Sequence, residues 1–540
     1  MSRLLGITCL TLPLFVVSSC GKGTDGFDES VDTTGLTVDS GPAPSPADFV
    51  VVSVDSESLS EQGYEIVTFE LNPEAEDQYE ALNNTEPPLD ADGDPITYHP
   101  TFFIARPVGS NGENLTELFW FHGGTIGDDR TFDETGEMPR GCTPGVQIRH
   151  LFQNMPVIMA AEQGWVMVLP RNDWCDYWTG LGPNDPVDPQ RHFGAYHFNR
   201  MLDFLATGSA GYMPSGKRYG WGGSAGGSAA IHIAHSHDPF FEALIVDSAP
   251  SSMLRYYVED PNSMEAVFGG PPFDQDGNPT PFLEGYTQTS SETLISNYNF
   301  RLPISLFWNS QDKSVANSHP VSLLGALNTY YSPEKVAWAT HDFNHKSPGP
   351  AYHGQLKTFS VHGGYKGVAA VSFLKGKHVR WLEAEAGCKG ELEDVCTTGG
   401  VVRHEEDGES GLELFSNGAA REGSAAGVLW SDTLPSNLPR DQPIHVMAVV
   451  SMRGIDSLAD STKIGRLSFQ TESGEDNTFL TRSDFASQDN PTTKEAFHQY
   501  GSTGIDIVIP AGEETTLSWY SEGAGKTLLD ALVFTFDLND

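Results

Sequence analysis

Positive charge is scarce in this chain. Its 540 residues hold 31 Lys and Arg against 73 Asp and Glu, a formal net charge of −42. A surface of that sign repels phosphate backbones and anionic lipid heads, so nucleic acid is excluded as a partner. The acidic residues are spread along the chain, which reads first as solubility. Long apolar runs are missing too. No run of about 18 apolar residues occurs, so no mature segment reads as a membrane-spanning helix. Cysteines number only six, without CxxC or clustered Cys/His spacing, which argues against a zinc site. No internal repeat is evident. What is present is apolar matter enough for a sizeable core, 38% hydrophobic and 11% aromatic, which excludes disorder throughout. At roughly 150 residues per domain, the length leaves room for several domains or two large ones.

The first residues indicate the compartment. Arg3 is a short basic start, Leu4 to Val17 is an apolar stretch interrupted by Pro13, and Val17-Ser18-Ser19-Cys20 resembles a bacterial lipobox. The expectation is a signal peptide over 1–19, with Cys20 lipidated as the first mature residue. The chain would then be held at the bacterial cell envelope by lipid alone, with the outer membrane or cell surface favoured, or be secreted. Gly21 lacks the aspartate associated with inner-membrane retention. Residues 20–48, rich in Gly, Ser, Thr, Asp and Pro, read as a flexible tether. In an exported chain the four remaining cysteines suggest two disulfides. Cys388 pairs with Cys396 by closeness, and Cys142 with Cys175 by remainder.

From residue 49, strand-like and helix-like segments begin to alternate. Strands are expected at Tyr64–Leu71, Thr101–Arg106, Thr116–Phe121, Trp165–Pro170, Arg218–Gly222, Ala243–Val246, Pro303–Trp308 and Lys335–Thr340. Helices are expected at Val146–Gln163, His197–Leu205, Ala225–His235, Val321–Tyr331 and Gly367–Leu374. This rhythm predicts an α/β fold, a mostly parallel sheet with helices on both faces, over residues 49–378. Residues 252–300, rich in Pro, Gly, Asn and Ser, read as an insertion or lid. Over residues 379–540 short strand-like runs and turns predict an all-β sandwich.

Chemistry concentrates in the first of these regions. Gly222-Gly223-Ser224-Ala225-Gly226 follows a strand and opens a helix, the context in which G-x-S-x-G exposes a nucleophilic serine. The Ala225 amide at the helix start is placed to stabilise an oxyanion. His122-Gly123-Gly124 follows another strand and matches a loop that supplies a second donor, from Gly123 or Gly124. Asp312, after the strand ending at Trp308, is placed to orient a histidine, with Asp247 as competitor and a helix cap as its plain structural role. A serine needs a base. His341, His345, His353 and His362 all follow Asp312, and spacing alone does not choose among them. Trp174, Tyr177 and Trp178 either line a substrate site or pack beside Cys175.

Over residues 100–376 the chain resembles pectin acetylesterases and the related carboxylesterase Notum. The resemblance is carried by His122-Gly-Gly, the loop Asn172-Asp-Trp-Cys-Asp-Tyr-Trp-Thr-Gly180, His192-Phe-Gly with the Leu202-Asp-Phe helix, and Ser224-Ala-Gly-Gly. It implies an α/β-hydrolase fold and acyl transfer without a catalytic cofactor. It favours His353 as base through its distance to Gly367-Val368 and Phe373-Leu374, with His345 the alternative. The chain departs from that family in its His-Gly-Gly-Thr loop and in lacking most of the family's cysteines.

Leu382-Glu383-Ala384-Glu385-Ala386 and Leu528-Leu529-Asp530-Ala531-Leu532 look like the first and last strands of jelly-roll carbohydrate-binding modules. That likeness implies a structural Ca²⁺ held by Glu383, Glu385 and Asp530, a donor set that suits a hard cation. Trp519 and Tyr520 offer a sugar-stacking face, although strand alternation buries one of them. Asp90-Ala-Asp-Gly-Asp94 and Asp274-Gln-Asp-Gly-Asn278 lack a distal Glu and read as solvated turns.

The sequence therefore points to an exported serine esterase acting on an acylated polysaccharide. Esterases of other substrates, a serine peptidase and a non-catalytic glycan-binding lipoprotein are the rivals.

Overall fold

The structure is a computed structural model. It describes residues 49–72, 101–123, 155–170, 193–237, 239–297, 302–308, 312, 314–330, 338–342, 370–383, 401–406, 409–416, 427–431, 444–453, 458–471, 474–487, 499–502, 505–509, 516–521 and 525–537. All lie in a compact unit spanning Pro44–Asp540.

Nine strands form one sheet: β1 (Phe49–Asp55), β2 (Tyr64–Leu71), β3 (Thr101–Pro107), β4 (Asn114–Phe121), β5 (Val166–Pro170), β6 (Met213–Gly223), β7 (Ala243–Asp247), β8 (Ile304–Trp308) and β9 (Trp338–Asp342). Their order is β1-β2-β3-β5-β4-β6-β7-β8-β9. The first three strands and the β3–β5 pair run antiparallel. Every pair from β5 to β9 is parallel. This is the mostly parallel sheet expected from the alternating segments, and it is an α/β-hydrolase fold.

The helices are α1 (Met155–Glu162), α2 (Phe193–Ala206), α3 (Ala225–Ser236), α4 (Met253–Glu259), α5 (Pro261–Phe268), α6 (Leu283–Gln288), α7 (Ser291–Asn297) and α8 (Ser318–Tyr330). The central strands bury both faces, which is why they read as unbroken apolar runs. Phe119 and Phe121 of β4 join a cluster with Phe198 of α2, Ile233 of α3 and Leu327 of α8. Leu118 and Trp120, one residue out of phase, join Val157 of α1 and the helical residues Ala370 and Phe373 on the opposite face.

Connections leave β4 and β6 in opposite directions across the sheet, since β5 lies beyond β4 on one side and β7 beyond β6 on the other. In open α/β sheets such a switch opens a crevice at the carboxyl ends of the strands. Residues 122–123 and 224 stand at those two ends.

Residues 252–300 are more regular than their composition suggests. α4 to α7 lie here, and α4, α5 and α6 share a small core of Met253, Met264, Phe268 and Tyr286. The Asp274 loop is a closed turn. Its Oδ1 accepts backbone N–H bonds from Asp276 (2.9 Å) and Asn278 (2.8 Å), as expected of a solvated turn. The Asp90 loop lies outside the described residues.

The strands after residue 376 form two further sheets, of eight and four strands. The first joins Lys377–Glu383 to Gly525–Asp537, antiparallel, with Glu383 opposite Ala531. The second contains Gly427–Ser431, Lys463–Thr471, Gly474–Thr481 and Thr516–Ser521.

Candidate active site

Ser224 sits between β6 and α3 with φ 55° and ψ −129°, in a region that side chains other than glycine rarely occupy. The strain is held by what surrounds it. Its amide donates to the Asp247 carbonyl (2.7 Å), and its own carbonyl accepts from Gly227 (2.9 Å). Two glycines make the turn possible. A methyl group at Gly222 would fall 2.1 Å from the Gly226 carbonyl oxygen. One at Gly226 would fall 2.0 Å from the Phe121 oxygen and 2.5 Å from that of His122. The G-x-S-x-G spacing is thus a packing requirement as well as a turn requirement. It presses the start of α3 against the end of β4 at Phe121 and His122. Ala225, His122 and Gly123 are all buried.

Ser224 therefore stands on a strained elbow at the N-terminus of α3, with the end of β4 packed against Gly226. Gly124 lies just outside the described residues. Ser228, one turn into α3, donates from Oγ to the Pro250 carbonyl (2.6 Å) and fastens the elbow to the segment after β7.

Asp312 lies past the carboxyl end of β8, the same sheet edge as Ser224, and is partly exposed. Its Oδ1 accepts from the amides of Ser314 (2.8 Å) and Val315 (3.0 Å). These bonds close a local turn and occupy one carboxylate oxygen, and the helix that follows begins only at Ser318, so Asp312 is not the helix cap that sequence offered as its plain role. Asp247, the competitor, is fully buried and accepts Ser248 Oγ (2.9 Å). Ser248 carries the second positive φ of a non-glycine residue, 53°, which nothing in the sequence announces. His341 is in β9, while His345, His353 and His362 lie outside the described residues.

The remaining expected sites fall as follows. Cys20, Cys142, Cys175, Cys388, Cys396 and Glu385 are outside the described residues, as are Trp174, Tyr177 and Trp178. Glu383 and Asp530 lie on neighbouring strands. Asp530 is an extra residue in its strand, because Ser451 pairs with Ala531 while Met452 pairs with Leu529. Among the described residues, no group of three or more His, Cys, Asp or Glu is arranged to hold a metal ion. Also among them, no helix is long and apolar enough to cross a membrane.

One group near the site was not singled out from sequence. His319 of α8 is wholly buried. Its Nδ1 accepts from the Ser251 amide (3.1 Å), and its Nε2 lies 3.3 Å from Glu259 Oε1. Burial, then the nearby Arg255 charge, pushes the imidazole down to about 4, so it is neutral near pH 7. Desolvation raises the Glu259 carboxyl, with Asp312 adding in the same direction.

A model of the prolyl oligopeptidase family matches residues 196–359. That span holds Ser224, Asp312, His345 and His353, in that chain order. No curated protein matches the chain. Among solved structures it is similar to an S-formylglutathione hydrolase from Agrobacterium tumefaciens, with 13% identity and a TM-score of 0.34 over 54% of this chain and 90% of that one. It is similar to an acetyl xylan esterase from Paenibacillus sp. R4, with 14% identity and a TM-score of 0.37 over 61% of this chain and 88% of that one. It also resembles an acylaminoacyl peptidase from Pyrococcus horikoshii, with 14% identity and a TM-score of 0.32 over 55% of this chain and 46% of that one. With the elbow at Ser224 and the family match across it, the chain is a serine hydrolase.

Proposed function

We propose that this chain is an exported serine carboxylesterase that removes acyl groups, acetyl in the first place, from a polysaccharide. Ser224 attacks the ester carbonyl while His353, or His345, takes its proton and Asp312 orients the imidazole. The Ala225 amide and that of Gly123 or Gly124 receive the oxyanion, each worth about 3–4 kcal/mol of barrier. Water then cleaves the acyl-serine, and no cofactor takes part. The observation that carries this reading is the strained Ser224 elbow, packed by Gly226 against the His122-Gly123 segment.

Two sequence features support a glycan: the pectin acetylesterase-like motifs around the site, and the carbohydrate-module-like strands at the carboxyl end. Residues 379–540 would then be a β-sandwich that binds glycan and carries a structural Ca²⁺. Glu383 and Asp530 suit it as carboxylate donors on neighbouring strands, with Glu385 as the third. Cys20 would hold the mature chain to the cell envelope through lipid, and residues 20–48 would tether it. The pairs Cys142–Cys175 and Cys388–Cys396 would be disulfides in that oxidising compartment.

A peptidase is the second reading, favoured by the family match over residues 196–359. One panel separates them. The full chain is offered acetylated pectin, xylan and chitin fragments alongside acyl-peptide anilides, with Ser224→Ala as blank. Serine-dependent acetate release from glycans supports the esterase, whereas cleavage of the anilides alone overturns it.

A further inference from the structure

Among the described residues, two other than glycine carry a positive φ, Ser224 (55°) and Ser248 (53°). They hold matching places on neighbouring strands, the first residue after β6 and the first after β7. Each carries the parallel ladder one step beyond its strand. The Ser224 amide donates to the Asp247 carbonyl of β7 (2.7 Å), and the Ser248 amide donates to the Phe307 carbonyl of β8 (2.7 Å). The Asp247 carbonyl and the Ser248 amide belong to one peptide group. That group therefore accepts from the amide of the elbow serine on one side and donates to β8 on the other. Both bonds are at the short end of the N–H···O range, and a peptide that donates becomes the better acceptor.

The helix behind the elbow rests on the same segment. Ser228 Oγ of α3 donates to the Pro250 carbonyl (2.6 Å). A methyl group at Gly227 would fall 2.6 Å from the Ala249 methyl, so α3 lies directly on residue 249. The Ser251 amide is held in turn by His319 Nδ1 (3.1 Å). Asp247 and Ser248 are both buried, so bulk water does not compete for these bonds. A glycine would take a φ of this sign without strain. What the serine adds is one bond, from its Oγ to Asp247 Oδ1 (2.9 Å), which reaches back across the same peptide group and fixes its tilt. A return of Ser248 to negative φ would swing either that peptide, breaking its two bonds, or the segment on which α3 rests. Strain that the surroundings hold at such a place points to a role beyond the fold.

We propose that Ser248 is a positioning residue for the reaction at Ser224. Its left-handed backbone, locked by the hydroxyl bond to Asp247, holds the one peptide group that seats the nucleophile's main chain and ties it to β8, the strand that leads to Asp312. Ser248 touches no reacting atom and acts through Ser224 alone. This rests on the reading of Ser224 as the nucleophile.

The test uses the full chain, its S248G variant and p-nitrophenyl acetate. Glycine removes the lock and the backbone strain together, so a merely structural role predicts a variant as stable and as active as the parent. Positioning predicts a split. The thermal midpoint is expected to stay within about 3 °C of the parent. At 25 °C kcat is expected to fall at least about tenfold with KM within about twofold, the mark of a nucleophile bound to substrate but misplaced. S248A loses the same bond and is expected to show the same loss of kcat in its folded fraction. A parent-like kcat in both variants overturns the proposal.

Hydrogen exchange read at single amides covers the case in which no acetate is turned over. In S248G the Ser224 amide is expected to exchange at least about tenfold faster than in the parent, because its acceptor peptide is no longer held. The Leu244 amide, which donates to the Pro303 carbonyl (2.8 Å) at the other end of β7, is the internal control and is expected to stay within about twofold. Equal exchange at Ser224 in parent and variant overturns the proposal, as does an equal rise at Leu244, which would report loosening of the whole strand. A parent chain inert toward fluorophosphonates overturns Ser224 as nucleophile, while the exchange ratio still decides whether Ser248 seats it.

Discussion

Ser224 and Gly226 carry the functional argument as a pair. The serine's backbone is strained because the strand must turn at once into a helix, and the glycine two residues on lets that helix close against Phe121 and His122. Gly226→Ala is expected to cost several kcal/mol of stability, since the methyl meets backbone oxygen and not a yielding side chain. It is also expected to reduce turnover more than stability alone explains, because the Ala225 amide moves with it. Urea unfolding together with kcat of the surviving folded fraction checks both; a folded variant with full activity would contradict the account.

His319 gives a second prediction at the scale of one residue. Its folded pKa, about 4, lies below the ordinary 6.5, so the unfolded chain binds more protons between those values. Its contribution is present in full above pH 6.5 and is lost as pH falls toward 4, on the order of 3 kcal/mol. Glu259, raised by desolvation, works in the opposite sense. Subtracting the unfolding free energies of His319→Gln from those of the parent across pH 4 to 7 isolates the histidine. A flat difference would remove the buried neutral imidazole from the account.

Among elements, β4 and β6 are locked together away from the active edge. Glu117 of β4 is fully buried, accepts Tyr212 Oη (2.7 Å) and pairs with Arg218 Nε of β6 (2.7 Å). Arg218 also lies 4.6 Å over the Phe240 ring. Arg218→Ala leaves that carboxylate buried with half its partners, and is expected to cost about 3–5 kcal/mol. A shift in urea midpoint worth under about 1 kcal/mol would contradict that role for the pair.

The strands that hold the site were legible because both their faces are buried, and Ala243–Val246 or Pro303–Trp308 read as unbroken apolar runs. The start of β6 was not, because Met213-Pro-Ser-Gly-Lys217 holds a proline and a glycine where a strand is least expected. Residues 252–300 read as irregular, yet they form four short helices. Pro261 opens one helix, Ser252 caps another by accepting the Arg255 amide (3.3 Å), and the core they share is too small to set a periodicity. Within the site, Ser224 and the His122-Gly123 segment follow from local spacing. The His319–Glu259 contact depends on residues 60 positions apart and has no local signal.

For the whole molecule, the expected Ca²⁺ belongs to the carboxyl-terminal region. If Glu383, Glu385 and Asp530 hold Ca²⁺, chelation with EDTA lowers the thermal midpoint and added Ca²⁺ restores it, while catalysis at Ser224 in the folded chain persists. An unchanged midpoint would remove the ion.

The central claim is that Ser224 is an activated nucleophile. It is tested most directly by intact-mass labelling of residues 49–540 with a fluorophosphonate, beside Ser224→Ala. A single adduct on the parent chain, absent from the variant, is the predicted result. No adduct on a folded parent, or equal labelling of both, would contradict it.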